Sequence, residues 1–262
     1  MTPVTEPRTR LQSFLSRYRA VQARVRELRL SRLQDFLHRY RVVQYRAAQS
    51  MAREAEEELD RLTARRFSVF HYWGPNELAL SGIIADFLDP RGKHGQGPFF
   101  LEKFLNLLNQ HEAINLTPSL WDLAATVVDT EVVTSENENK RRRIDILLVN
   151  PKSKWAMVIE NKPWAAEQPD QVSAYQAQLE KKYRDWKTRV MIYLSGDGSP
   201  PKTQNTEMQP PLVMGYQRGK TDAPGFFLSD WLEASRDCCQ VDKVRHFLAD
   251  LADWVAATFK TT

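Results

Sequence analysis

The sequence predicts a mixed α/β domain, a central sheet flanked by helices, preceded by a long N-terminal helix or helical hairpin. Three observations carry this reading. Runs rich in Val, Ile and Thr at 125–134, 143–149, 155–160 and 189–195 read as strands. Segments of helical periodicity precede, interrupt and follow them, the order of a sheet covered by helices. Residues 9–70 contain neither Gly nor Pro and carry apolar residues at 3–4 spacing.

Composition bounds the rest. The chain has 262 residues, 42% hydrophobic and 27% charged, enough for one good core plus an appendage. That balance excludes a collagen-like, wholly disordered or membrane-bundle protein. No stretch approaches the ~18 consecutive apolar residues that span a bilayer. The opening MTPVTEPRTR has no apolar signal core, so secretion by a cleaved peptide is not expected. The two cysteines, Cys238 and Cys239, are adjacent and ill-suited to a disulfide. A cytoplasmic protein is therefore expected, and the Cys and His positions offer no zinc-ligand spacing.

Charge is unevenly distributed. Residues 1–53 hold 12 Arg, no Lys and three acids (Glu6, Glu27, Asp35), a net +9. The other 209 residues hold 25 bases and 30 acids, a net −5. The basic arm also contains a repeat. RLQSFLSRYRAVQ at 10–22 returns as RLQDFLHRYRVVQ at 32–44, identical at ten of thirteen positions and offset by 22 residues. That offset is two elevens, which keeps one stripe on nearly the same side of a helix. Leu11, Leu15, Tyr18 and Val21 form the stripe, repeated as Leu33, Leu37, Tyr40 and Val43. Leu30–Ser31 is the one plausible bend if the arm is a hairpin. Such a stripe needs a partner, and homo-oligomerisation through the arm is expected. An Arg-rich arm also suits phosphate binding by counterion release. The junction with the body falls near Arg66, giving a duplicated arm over 1–66 and a second domain over 67–262.

The body follows in order. Asn76 is a candidate N-cap for a helix over Glu77–Leu88, ended by Asp89–Pro90. Residues 91–98 form a Gly-rich loop and Phe99–Asn109 a second amphipathic helix. Strands at 125–134, 143–149 and 155–160 are joined by hairpin-length turns and predict an antiparallel meander. A helix over 170–186 and a strand over 189–195 follow. The Gly- and Pro-rich stretch 196–225 leaves room for one short strand at 212–216. Helices at 229–235 and 241–258 close the chain.

Chemistry is sought where charge interrupts apolar strands. Asp145 is the only charged residue inside IDILLV, and Glu160 ends WAMVIE with Lys162 two positions later. Strand alternation puts Glu160 and Lys162 on one face. Pairing of the two strands across their turn brings Asp145 near Glu160. Two carboxylates suit Mg²⁺, and an ammonium suits an attacking water or a phosphate oxygen. Other acid-x-Lys triplets, at 138–140, 180–182 and 185–187, lie on a turn or a helix face, so context selects Glu160–Lys162. The basic run Lys140, Arg141, Arg142, Arg143 at the turn before the Asp145 strand can guide a phosphate backbone. His94, in the Gly-rich loop, is a further nucleic-acid contact to test, and Glu131 is a reserve metal ligand. Trp164 lies two residues after Lys162 and can stack on a base or sit in the core.

The order of these motifs resembles the PD-(D/E)XK nuclease superfamily. The segments FSVFHYWGPNELALSGIIADFLDPRGKHGQG, RRRIDILLVN and VIENKPWAAEQPDQVSAYQAQL resemble a bacterial branch of restriction-endonuclease-like proteins. The likeness runs from Phe67 to the C-terminus and leaves out the duplicated arm. It implies a restriction-endonuclease-like α/β fold and metal-dependent hydrolysis of phosphodiester bonds, DNA being the favoured substrate and RNA the alternative. It implies that Asp145, Glu160 and Glu77 hold Mg²⁺ or Mn²⁺, helped by the Asn161 carbonyl. Lys162 would position the water. Gln171 and Tyr175 would face the site from the following helix. The middle of the triplet, Asn161, is polar where the superfamily is often apolar. A nucleic-acid-binding or oligomeric regulatory protein without catalysis is the alternative function.

Overall fold

The computed structural model describes residues 7–64, 67–110, 114–134, 142–164, 170–203, 208–219 and 225–259. The chain divides into two compact units, Met1–Phe67 and Ser68–Thr262.

The first unit is one helix, α1, over Pro7–Thr63. It runs unbroken through Leu30–Ser31, so the hairpin alternative is set aside. Ala, Leu, Arg and Gln dominate and nothing interrupts the backbone ladder. The helix ends where Ala64 turns left-handed, its N–H bonded to the Asp60 carbonyl at 2.7 Å. The sequence repeat becomes a repeat of local geometry. The Phe14 and Tyr18 rings stack at 6.4 Å and the Phe36 and Tyr40 rings at 6.2 Å. Gln22 donates to the Tyr18 hydroxyl at 3.1 Å, and Gln44 to that of Tyr40 at 2.6 Å.

The second unit begins with α2 (Val69–Tyr72), α3 (Glu77–Leu88), α4 (Phe99–Gln110) and α5 (Leu120–Leu123). Strands β1 (Val127–Val133), β2 (Arg143–Asn150) and β3 (Trp155–Lys162) follow, then α6 (Gln171–Lys182) and β4 (Thr188–Ser195). Next come β5 (Leu212–Gly215), β6 (Phe226–Phe227), α7 (Leu228–Cys238) and α8 (Asp242–Thr258). The six strands form one sheet in sequential order. β1, β2 and β3 make the expected antiparallel meander. β4 lies parallel to β3 after the α6 crossover, and β5 and β6 continue in parallel.

Helices cover both faces. Ile146, Leu148, Met157, Ile159 and Ile192 pack in one core with Leu88, Phe104, Trp231 and Val255 from α3, α4, α7 and α8. Ala156, Val158 and Met191 pack on the other side with Val172, Tyr175 and Leu179 of α6. β3 is buried along its whole length, which is why its sequence reads as a continuous apolar run. Helix α6 stops at Lys182, short of the expected Trp186. The Arg189 guanidinium holds the chain after it, donating to the carbonyls of Arg184 at 3.2 Å and Trp186 at 2.5 Å. The short elements α2, α5 and β6 were not expected; four, four and two residues are too few to show a period.

Candidate active site

Antiparallel pairing of Ile146 with Ile159 puts Asp145 and Glu160 one step further along the same ladder. Asp145 accepts the Asn161 backbone N–H at 2.7 Å. Glu160 and Lys162 leave β3 on one face, as the alternation requires. Helix α3 brings Glu77 in its first turn, set by Asn76, whose side chain caps the helix by accepting the Ala79 N–H at 2.9 Å. The four side chains meet at the Lys162 ammonium. Its Nζ lies 2.6 Å from Glu77 Oε1, 2.8 Å from Glu160 Oε1 and 3.8 Å from Asp145 Oδ2. Exposure falls from 32% for the Glu77 side chain to 11% for Asp145, 8% for Lys162 and 1% for Glu160, so the cluster opens towards α3.

Helix α6 closes the far side. Gln171 Nε2 donates to Glu160 Oε1 at 2.6 Å and to the Tyr175 hydroxyl at 3.0 Å. The Tyr175 hydroxyl donates to the Arg143 carbonyl, tying α6 to the start of β2. Two oxygens in this group are buried without a hydrogen-bond partner: Glu160 Oε2 and Gln171 Oε1.

Electrostatics follow from three acids and one base in a poorly solvated place. Burial raises the Asp145 carboxyl against the pull of Lys162, and Glu77 and Glu131 add to the rise. Burial, then the Asp145 charge, pushes Glu160 up to about 8. Burial alone favours a neutral Lys162, but Glu160 and Asp145 together outweigh it and raise its pKa. Burial, then Glu160, moves Tyr175 up to about 12. The cluster therefore has an excess of negative charge that one ammonium does not neutralise.

A second network lies behind the first. The buried Tyr216 hydroxyl donates to Asn161 Oδ1 at 2.6 Å. Asn161 Nδ2 donates to Ser81 Oγ at 3.0 Å, and Ser81 Oγ donates to the Glu77 carbonyl at 3.0 Å. The polar middle residue of the triplet is thereby fastened to α3 and to the end of β5. Sequence reading missed Tyr216 and Ser81. A Tyr directly after a short apolar strand was the available signal, and it is a weak one.

The remaining candidates fall elsewhere. His94 is buried, stacked on Phe87 at 5.6 Å. Its Nδ1 accepts the Gln96 N–H at 3.0 Å and its Nε2 faces the Asp89 carbonyl at 3.1 Å. Both ring nitrogens are engaged within the loop. Gly92 is required beside it, since a Cβ there would lie 2.1 Å from the Asp86 carbonyl oxygen. Arg142 donates to the Asp170 carbonyl at 2.8 Å, and exposed Arg143 lies 3.4 Å from Glu131. Glu131 thus pairs outside the central cluster. Lys140 and Arg141 lie outside the described residues. Trp164 is 54% exposed and stacks on Phe259 at 5.5 Å.

Among the described residues, no three Asp, Glu, His or Cys side chains form a ready-made metal cage. The residues nonetheless suit a hard divalent cation. Asp145, Glu160, Glu77 and the Asn161 carbonyl offer only oxygen donors, and Glu160 Oε2 is an oxygen with no other partner.

The six strands form one sheet, antiparallel from β1 to β3 and parallel from β3 to β6, with carboxylates and a lysine at the neighbouring ends of β2 and β3. A sequence model of the PD-(D/E)XK nuclease superfamily matches residues 67–250. The chain belongs to that superfamily, and its second unit has the restriction-endonuclease-like α/β fold. No curated protein and no solved structure matches the chain. Among the described residues no helix is long and apolar enough to cross a membrane.

Proposed function

We propose that the protein is a metal-dependent nuclease hydrolysing phosphodiester bonds, with DNA as its substrate. The observation that carries this is the meeting of Asp145, Glu160 and Glu77 on Lys162, with one Glu160 oxygen unpartnered and negative charge in excess. Asp145, Glu160, Glu77 and the Asn161 carbonyl would hold Mg²⁺ or Mn²⁺. A bound divalent ion supplies charge neutralisation at a phosphoryl oxygen and lowers the pKa of water.

The chain's own groups supply the rest. Lys162 stays protonated, so it donates: it orients the attacking water by its lone pair and neutralises charge growing on a phosphoryl oxygen. Gln171 fixes the Glu160 carboxylate through its amide, and Tyr175 fixes Gln171. Arg142 and Arg143, at the start of β2, suit contact with a neighbouring phosphate.

Supercoiled plasmid tests the reading. Wild type should nick or linearise it with Mg²⁺ or Mn²⁺ and not with EDTA. Lys162→Ala and Asp145→Ala should each lower the rate by on the order of 10²–10³-fold or more. Cleavage that survives both substitutions, or that needs no metal, would sink the assignment of this centre. A folded wild type that binds DNA and leaves it intact supports the binding-module reading instead.

A further inference from the structure

Two tryptophans stand exposed beside the active site. Trp73 lies four residues before Glu77 and Trp164 two residues after Lys162, and the Glu77 carboxylate is 2.6 Å from the Lys162 ammonium. With about 3.8 Å between consecutive Cα atoms, their Cα positions lie within about 15 Å and about 8 Å of those two residues. Trp164 is 54% exposed and Trp73 49%. Each is backed by a buried phenylalanine: Trp164 stacks on Phe259 at 5.5 Å and Trp73 on Phe70 at 6.2 Å. Trp254 joins the two pairs, with its ring 6.0 Å from Phe70, 5.9 Å from Phe259 and 6.3 Å from Trp164.

The backing of Trp164 belongs to the support of the site itself. Phe259 touches both Trp164 and the buried Tyr216, whose ring lies 4.2 Å from it and whose hydroxyl donates to Asn161, the middle residue of the triplet. Gly196 makes room for this contact. A Cβ there would lie 2.2 Å from the Pro163 carbonyl oxygen and 3.2 Å from the Phe259 ring. Pro163, between Lys162 and Trp164, fixes its own φ. Trp164 is therefore held on one face and one edge, at a set distance from Lys162, with half its surface exposed.

We propose, on the nuclease reading above, that these tryptophans stack on unpaired bases, and that the substrate is a nucleic acid opened or single-stranded next to the bond that is cut. A paired base inside a duplex already has a base on each face, so an aromatic side chain reaches a base face only where the strand has opened. A Trp already fixed by its neighbours loses little freedom on stacking. Charge points the same way. Residues 54–262 carry a net −5, and three acids meet one ammonium in the cluster. Attraction for phosphate alone gives this part of the chain little hold on a strand, and stacking adds affinity without charge.

Full-length protein with Mg²⁺ tests this on a DNA duplex carrying a bubble of unpaired thymines and on the fully paired duplex. Wild type should cut the bubble with a kcat/KM about 10-fold higher or more, at bonds within the bubble or at its edge. Trp164→Leu keeps an apolar cover over Phe259 but offers no aromatic face. It should lower kcat/KM on the bubble by about 10-fold and on the paired duplex much less, and Trp73→Leu should do the same. Trp164→Phe keeps a face and should retain most of the preference. Equal cutting of both substrates by wild type overturns the proposal, as does an equal loss on both in the Leu variants, which would mark a packing role. Failure of the nuclease reading looks different: neither substrate is cut, yet oligothymidylate quenches tryptophan fluorescence in wild type and much less in the double Leu variant. Absence of both cutting and quenching overturns the stacking role as well.

Discussion

Glu160 is the residue whose surroundings cost the most. It is fully buried, faces Asp145 and leaves one oxygen unpartnered, so its carboxyl is pushed up to about 8. In an unfolded chain it returns to about 4.3. Between those values the folded protein keeps a proton that the unfolded chain has released. Stability therefore falls as pH rises through this window and levels off above it. With EDTA present, the melting temperature should drop between about pH 5 and pH 8 by on the order of 5 °C. Glu160→Gln has no such proton and should flatten the curve while abolishing cleavage. Calorimetry at constant ionic strength reads both. A wild-type curve that is flat across the window, or rises, would show that Glu160 is ionised and compensated in the folded protein. The same cost is why the site was legible. A lone acid inside IDILLV and an acid–lysine pair closing an apolar strand are expensive to bury, and such a cost marks function more often than structure.

Elements differ in how far they announce themselves. β2 and β3 are buried on both faces, so their apolar runs are unmistakable, and their short turn leaves only antiparallel pairing. α3 carries its own start signal in Asn76. The support behind the site was not legible. Tyr216 reaches Asn161 across 55 residues of sequence, from a Gly- and Pro-rich stretch whose strands are four and two residues long. The surroundings of His94 were not legible either: Phe87 and Phe100, which enclose its ring, lie in the helices on either side of the Gly-rich loop. The Tyr216–Asn161–Ser81 chain joins β5, β3 and α3, and holds the residue between the two acting side chains of the triplet. Tyr216→Phe removes one hydroxyl and leaves a buried amide oxygen short of a donor, a cost of about 1–3 kcal/mol. If the chain positions Lys162, single-turnover cleavage at saturating DNA should slow by about 10-fold with KM little changed. A variant that melts earlier yet cleaves at the wild-type rate would leave Tyr216 with a purely structural role.

At the scale of the molecule, charge divides unevenly along the chain. Residues 1–53 carry a net +9 and the other 209 residues a net −5. Arg17, Arg19, Arg39 and Arg41 lie in the two copies of the repeat, on the exposed surface of α1. A basic helix on a chain whose remainder is acidic should supply much of its attraction for a phosphate backbone, by releasing counterions from it. Replacing those four Arg by Gln should then weaken binding to duplex DNA and flatten its dependence on salt. Single-turnover cleavage at saturating DNA should stay unchanged, because none of the four belongs to the Asp145, Glu160 and Lys162 cluster. Binding curves at several salt concentrations read the first effect. A variant that binds as tightly as wild type, with the same salt slope, would leave the arm no part in holding DNA.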